Sequence, residues 1–151
     1  MARIFFSSTE TIENFNRLPL TRKEIEDAYW KQYERVVGLL LNPPCPMHMS
    51  IEELTQPSSK SRQSTRFANN LRKHPPRPLN PFIMFLKNFD KGYRKFFKGG
   101  CSKTISKLTQ EEWDKSGSAV HNLFNELADL AKKYHQYKFP DYEYKPIKKE
   151  R

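Results

Sequence analysis

The residues best suited to bind a partner stand in RPLNPFIMF, the run from Arg77 to Phe85. Asn80 carries a hydrogen-bond donor and an acceptor on one side chain, and Ile83 is an apolar residue three positions later. An amide beside an apolar side chain, in a segment that begins with arginine and ends in a basic tail, suits a protein that reads the DNA minor groove and opens a base step. The alternative is an ordinary helical domain with an apolar first helix.

Charge is distributed unevenly along the 151 residues, which carry a formal net charge of +10. Residues 1–57 have a net charge of −2, residues 58–76 of +5 and residues 77–151 of +7. The whole positive excess therefore follows Gln56. Such polarity indicates a polyanionic partner, either a nucleic acid or an acidic membrane surface, although many solvated basic domains bind neither.

Composition narrows the class of protein. Hydrophobic residues make up 36% of the chain and aromatic residues 13%, which favours a globular chain over a disordered one. No apolar run reaches the roughly 18 residues that a membrane span needs, and the N-terminal apolar run is too short for a signal peptide. Cys45 and Cys101 have no disulfide-framework spacing, so a reduced intracellular compartment is expected.

Two capping-box patterns, with Thr21 and Ser50 as the capping residues, mark helix starts before the basic half of the chain. The first predicts an amphipathic helix over about residues 22–41, which the two prolines after Asn42 bring to an end. Residues 58–74 are polar and basic and are followed by two prolines, so we interpret them as a flexible linker.

Three helical stretches follow this linker, and each shows apolar residues at helical spacing. They begin with Phe82, Ile105 and Val120. Gly99–Gly100 separates the first from the second, for which Ser102 is the expected N-cap, and residues 116–118 separate the second from the third. Pro140 ends the third stretch. Three aromatic side chains are assigned to the core: Phe85, Trp113 and Phe124.

The segment from Arg77 to Pro146 resembles an HMG box, in particular the single-box, sequence-specific branch that includes the SOX and sex-determining factors and fungal mating-type proteins. The family pattern RPMNAF, followed by two hydrophobic residues and Trp, aligns with RPLNPFIMF without a gap. The helix-2 pattern Ile-Ser-Lys and its later Trp fall on residues 105–107 and 113. The terminal pattern His…Tyr-Pro-(Asn/Asp)-Tyr-Lys-Tyr-Arg-Pro falls on residues 135–146, so the resemblance covers roughly half of the chain.

The resemblance implies an all-α fold in which three helices form an L with short extended flanks, and the helix predicted over about residues 22–41 adds an N-terminal helical extension. It assigns residues 75–147, hereafter the box segment, to the HMG box and residues 148–151 to a basic tail. The role of residues 1–57 stays open. Their helix could pack on the box segment, dimerise, or recruit a protein partner, or it could need a partner in order to fold.

The resemblance also implies which residues touch DNA. Ile83 takes the wedge position that enters a base step, and Asn80 takes the position that hydrogen-bonds to base edges beside it. The other side chains expected at the bases are Phe82, Ser106 and Tyr144. Five basic side chains are expected at phosphates, where they set affinity and salt dependence: Arg77, Lys87, Lys107, Lys145 and Lys148.

Two features favour sequence-specific binding. Non-specific boxes typically carry Ser where Asn80 stands, and they tend to have a second apolar wedge where this chain has Ser102–Lys103. The expected protein is a nuclear transcription factor for RNA polymerase II genes that binds A/T-rich, AACAAT-like sites in the minor groove and bends them. Mating-type or developmental regulation is a narrower interpretation. The alternative is an architectural chromatin protein that binds bent DNA with little sequence preference.

Several positions depart from the family pattern. Phe85 replaces a typical Trp, and Asn122 stands where many members have a second buried Trp. Thr109 replaces a core Leu, whose place Leu108 could take after a small rotation of the helix. Asp90 stands where relatives often have a basic residue. We therefore expect the fold to form, with a weaker core and a lower DNA affinity than in the most basic relatives.

No enzymatic chemistry is predicted. The four histidines are scattered and lack the carboxylate or nucleophile neighbours of a catalytic site. Cys45 and His48 have metal-ligand spacing, but no second pair completes a four-ligand site. The expected partner is double-stranded DNA, with no metal, cofactor, membrane or small-molecule substrate.

Overall fold

The computed structural model describes residues 20–58, 60–71, 74–97 and 99–142. These residues form helices and no strand, which confirms the all-α class. The helices are α1 (Arg22–Leu40), α2 (Ile51–Thr55), α3 (Arg62–Ala68), α4 (Pro81–Phe96), α5 (Ser102–Lys115) and α6 (Ser118–Lys138). Within the described part of the chain, no helix is both long enough and apolar enough to cross a bilayer.

Side-chain caps begin α1 and α2, the two helices within residues 1–57, hereafter the N-terminal region. The Thr21 hydroxyl accepts a hydrogen bond from the Glu24 N–H at 3.2 Å, and the Glu24 carboxylate accepts one from the Thr21 N–H at 3.2 Å. Ser50 and Glu53 form the same reciprocal pair at the start of α2. Each box satisfies two N–H groups that a helix start leaves unpaired, so both predicted capping boxes are present.

The three helical stretches predicted for the box segment correspond to α4, α5 and α6. The expectation that Ser102 caps α5 is wrong, because Ser102 is the first helical residue and Cys101 is the N-cap, without a side-chain hydrogen bond. The Cys101 carbonyl already accepts the first helical hydrogen bond, from the Ile105 N–H at 3.0 Å. The helix α5 therefore begins without a side-chain cap, and Ile105, which is 2% exposed, is its first buried residue.

The segment that we interpreted as a flexible linker contains α3. The Ser61 hydroxyl accepts from the Ser64 N–H at 3.1 Å and caps this helix. The Phe67 ring then packs edge-on against the Phe139 ring, with 5.6 Å between centroids. Because α3 has only one aromatic side chain, it shows no apolar periodicity that a sequence pattern could detect. Its packing comes instead from a contact with the distant end of α6.

One hydrophobic core joins the N-terminal region to the box segment. Val36 of α1 and Leu54 of α2 are buried in the same cluster as Met84 of α4 and Phe124 of α6. Burial of such a side chain contributes about 1.5–3 kcal/mol. Of the roles left open for the N-terminal helix, packing on the box segment is therefore the one that the structure shows.

The helix α1 runs antiparallel to α6. The Arg22 guanidinium, at the start of α1, lies 4.5 Å from the ring centroid of Tyr137, near the end of α6. Further along the two helices, the centroids of the Tyr29 and Tyr134 rings are 6.1 Å apart. This pairing covers one side of α6 along much of its length, which leaves its other sides to α4, to α2 and to solvent.

Aromatic packing holds α4 and α5 to α6. The Phe85 ring is 5.0 Å from that of Trp113 and 5.4 Å from that of Phe124. Phe85 and Phe124 are buried, as predicted, whereas Trp113 is only partly buried and packs against the cluster. Such ring pairs contribute about 0.5–1.5 kcal/mol beyond the area that they bury.

Thr109 itself occupies the buried position on α5. It is 0% exposed, and its hydroxyl donates to the Ile105 carbonyl at 2.7 Å. The neighbouring Leu108 is only half-buried, so the expected rotation of the helix does not occur. Because the helix backbone accepts the hydroxyl, a threonine can be buried there without an unpaired polar group. Asn122 is exposed, so α6 has no vacant core position at that residue.

Candidate nucleic-acid interface

Asn80 begins α4 and exposes its side chain. Its Oδ1 accepts a hydrogen bond from the Ile83 N–H at 2.8 Å, and Pro81 follows as the first helical residue, where a missing N–H costs nothing. Within the described residues, the Nδ2 group of Asn80 has no hydrogen-bond partner. The amide therefore uses its acceptor to cap the helix and keeps a donor on an exposed side chain.

Ile83 lies on the side of α4 that faces away from the core. At 100° per residue it is about 180° around the helix from Gly92 and about 140° from Asn88. Asn88 is buried, and residues 46–49 cover that side so closely that a Cβ on Gly92 would lie 2.3 Å from the His48 ring. Ile83 itself is half-buried and belongs to no core cluster among the described residues.

Phe82 packs between α4 and α5. Its ring is 6.0 Å from that of Trp113 in an edge-on arrangement, and its side chain is half-buried. This contact joins the start of α4, at Phe82, to the end of α5, at Trp113. A second contact joins the other two ends, because Gly100, just before α5, lies beside Tyr93 near the end of α4. The two helices are therefore antiparallel, and Phe82 links them directly beside Ile83.

Ser106 and Lys107 are exposed in the first half of α5. Trp113 packs against Phe82, and Ser106 precedes Trp113 by seven residues of α5. Ser106 therefore lies about 10 Å from Phe82 along the axes of the two antiparallel helices. That distance corresponds to roughly three base steps of duplex DNA. The structure thus places Asn80, Phe82 and Ile83 together and places Ser106 and Lys107 further along the same pair of helices.

Arg77 and Lys87 line a cavity of about 120 Å³ between α3, residues 76–79 and the end of α6. Arg77 is exposed and Lys87 is half-buried. Lys87 follows Ile83 by four residues, so the two lie one above the other on the same side of α4. The remaining predicted contacts, Tyr144, Lys145 and Lys148, lie outside the described residues, as does the basic tail.

The chain just before α4 is fixed to the end of α6 by His135. Its Nε2–H donates to the Pro76 carbonyl at 2.9 Å, since a carbonyl oxygen can only accept. The His135 ring also packs against Phe139 and Tyr142, at 5.1 and 4.5 Å between centroids. Burial lowers the pKa of His135 below its ordinary value, and the hydrogen bond to Pro76 opposes that shift.

Asn88 is a polar residue whose role the sequence did not reveal. It is 3% exposed, and its Oδ1 accepts from the His48 N–H at 2.7 Å and from the Met49 N–H at 3.2 Å. Its Nδ2 donates to the Pro46 carbonyl at 2.9 Å. These three bonds hold the chain between α1 and α2 against α4. An asparagine at a core position of an otherwise apolar helix stripe is the signal by which it could have been found.

Gln32 is a second buried amide side chain, and its hydrogen bonds connect α1 to α6. Its Nε2 donates to the Glu126 carbonyl at 3.0 Å and to the Glu126 carboxylate at 2.6 Å, and its Oε1 accepts from Lys133 at 3.3 Å. Arg35 forms a 3.1 Å ion pair with the same carboxylate. Gln32 is 8% exposed, so the buried amide fixes the position of α1 along α6.

No cluster of three or more histidine, cysteine or acidic side chains that could hold a metal is present among the described residues. Comparison of the chain with protein-family models, with curated proteins and with solved structures finds no match. The HMG-box resemblance therefore remains a prediction that rests on the three sequence motifs.

Proposed function

We propose that this protein is a nuclear, sequence-specific transcription factor that enters the minor groove of A/T-rich DNA and bends it. The observation that carries the proposal is the position of Ile83. It is half-buried, it lies across α4 from the side covered by residues 46–49, and the exposed Asn80 precedes it at the helix start. Mating-type or developmental regulation is a narrower proposal that rests on the resemblance alone.

We further propose that α4, α5 and α6 form the L of an HMG box. The antiparallel contact between α4 and α5 through Phe82 and Trp113 supports a short arm. The attachment of Pro76 to His135, near the end of the 21-residue helix α6, supports a long arm built from α6 and the chain before α4.

In this proposal Ile83 is the wedge. Its side chain enters a base step from the minor groove and unstacks it, which costs about a few kcal/mol. The cost is offset because a bent duplex contacts more protein surface. Phe82, one residue before it and held by Trp113, supports the opened step from the side of α5.

The cap at Asn80 determines which base edges the residue reads. Since Asn80 Oδ1 already accepts a hydrogen bond from the Ile83 N–H, the Nδ2 group is the one that can donate a hydrogen bond to DNA. A·T and T·A pairs show only acceptors in the minor groove, whereas G·C pairs add an N–H donor there. A free donor therefore favours A·T steps beside the wedge, and a G·C pair would set two donors against each other.

The proposal is tested by fluorescence anisotropy with the full chain, an AACAAT-type duplex and a scrambled duplex of equal length, at about 0.15 M salt. We expect a preference of roughly 10-fold or more for the A/T-rich site. Asn80→Ser keeps a good N-cap but replaces the amide donor with a hydroxyl on a shorter side chain, which ends closer to the helix start and does not reach as far toward a base edge, so it should abolish this preference without lowering stability. A preference that survives in Asn80→Ser would contradict the assigned role of Asn80.

The wedge is tested separately by the bend angle, measured by energy transfer between dyes at the two ends of the duplex. Ile83→Ala should straighten the bound duplex, whereas Val37→Ala, at an exposed apolar position of α1, is the matched control and should leave the bend unchanged. Equal binding of the unaltered chain to both duplexes, with bending retained, would support the architectural alternative. No binding to either duplex would overturn both functions.

A further inference from the structure

We infer that α3 is a second DNA-contacting element, which binds the phosphate backbone beyond the region touched by the box segment. The inference rests on the proposed function and adds to it a surface outside residues 75–147. Its starting point is the composition of residues 58–76, which contain five basic residues and no acidic residue.

The structure places α3 beside the candidate phosphate contacts. Ser61 and Gln63 line the same 120 Å³ cavity as Arg77 and Lys87. The edge-on packing of Phe67 against Phe139 holds the other end of α3 to the end of α6. The start of α3 therefore borders the same cavity as Arg77 and Lys87, and its end contacts the residue that follows α6.

The two sides of α3 differ in exposure. Ser61, Ser64 and Phe67 recur at every third residue and are half-buried, so they face the protein. Arg62 and Arg66 are four residues apart and exposed, so they project together from the opposite side. Neither arginine forms an ion pair with an acidic residue of the described ranges. Their charges thus remain available to an anionic partner.

Two candidate phosphate contacts, Arg77 and Lys87, lie between the proposed wedge and α3. Lys87 lies one helical turn beyond Ile83 on the same side of α4, and it borders the cavity that Ser61 and Gln63 of α3 also line. A duplex bent around Ile83 would pass Arg77 and Lys87 and then reach α3. Guanidinium groups that meet a duplex there contact phosphates, because the backbone rather than the base edges forms the outer surface of DNA.

The test is the salt dependence of binding by the full chain to a duplex with the A/T-rich site in its centre. Each phosphate contact contributes about 0.9 to the slope of log affinity against log salt. The double variant Arg62→Gln/Arg66→Gln should therefore lower the slope by about 1.8 if both arginines contact phosphates. The preference over a scrambled duplex should not change, since phosphate contacts carry no sequence information.

Two control variants separate a specific contact from a general loss of charge. Lys23→Gln/Lys31→Gln removes two exposed charges from α1, on the N-terminal region, and should leave the slope unchanged. Arg62→Lys/Arg66→Lys retains the charge and should keep the slope of the unaltered chain. On a duplex cut back to the bent site itself, the glutamine variant and the unaltered chain should have equal slopes.

An unchanged slope for Arg62→Gln/Arg66→Gln would overturn the inference and leave the proposed function intact. An equal decrease for the α1 control would also overturn it, because the effect would then report net charge alone. Failure of the unaltered chain to bind any duplex would overturn the inference together with the proposed function.

Discussion

Two asparagines of the α4 region, one at the helix start and one in the helix, are used in opposite ways. Asn88, on the side covered by residues 46–49, is buried and makes three hydrogen bonds to backbone groups of that segment. Asn80, at the start of the helix, is exposed and uses one acceptor to cap it, with its donor unpaired among the described residues. A fully satisfied buried amide is a structural connection, whereas an exposed amide with a spare donor is suited to bind a partner.

The apolar residues of α4 repeat this difference. Met84 is 0% exposed and belongs to the common core, whereas the adjacent Ile83 is half-buried and lies outside it. A 100° rotation between neighbouring residues separates a core position from a candidate wedge. The N-terminal region thus completes the covered side of α4 and leaves the opposite side for a ligand.

The largest expected effect follows from removing the N-terminal region. A chain of residues 58–151 loses Val36 and Leu54 from the core and exposes the side of α6 that α1 covers. Two such side chains contribute about 3–6 kcal/mol together, which is a large part of a typical stability of about 5–15 kcal/mol. We expect this fragment to lose cooperative thermal unfolding, measured by circular dichroism. A fragment that melted at the temperature of the full chain would contradict a shared core.

A smaller effect is expected for Asn88→Ala, which leaves the three backbone groups of residues 46–49 without their partner. The free energy of unfolding should fall by about 2 kcal/mol, measured by urea denaturation. Asn122→Ala is the matched control, because Asn122 is exposed on α6, and it should change stability by less than about 0.5 kcal/mol. Equal effects of the two substitutions would show that Asn88 does not hold this segment in place.

The smallest effect concerns His135, whose hydrogen bond to the Pro76 carbonyl fixes the chain before α4 to the end of α6. Its pKa is lowered in the folded protein, so the unfolded chain binds more protons at mildly acidic pH. Its contribution to stability is therefore complete above about pH 6.5 and decreases as the pH falls below that value.

Urea midpoints at pH 7.5 and pH 5.5 measure this dependence. His135→Gln should reduce the difference between the two midpoints, whereas His74→Gln, at an exposed position, should leave it unchanged. A difference of the same size in His135→Gln and in the unaltered chain would assign the pH dependence to other groups.

Helices with a local signal were predictable from the sequence. The reciprocal caps at Thr21 and Ser50 and the apolar periodicity of α4 and α6 depend on residues within a few positions of each other. The helix α3 was not predictable, since its single aromatic residue is held by Phe139, about 70 positions away in the chain. The predicted N-cap of α5 is wrong by one residue, because Cys101 takes the cap position without the side-chain hydrogen bond that a cap pattern indicates.

The candidate site likewise combines features that were predictable from the sequence with features that were not. The sequence alone placed Asn80 three residues before Ile83 and concentrated positive charge after Gln56, because spacing and net charge depend only on the order of residues in the chain. Tertiary structure decided that residues 46–49 cover the side of α4 opposite to Ile83, and that α3 lies beside Arg77 and Lys87. Those arrangements depend on buried contacts between residues far apart in the chain, which no local spacing encodes.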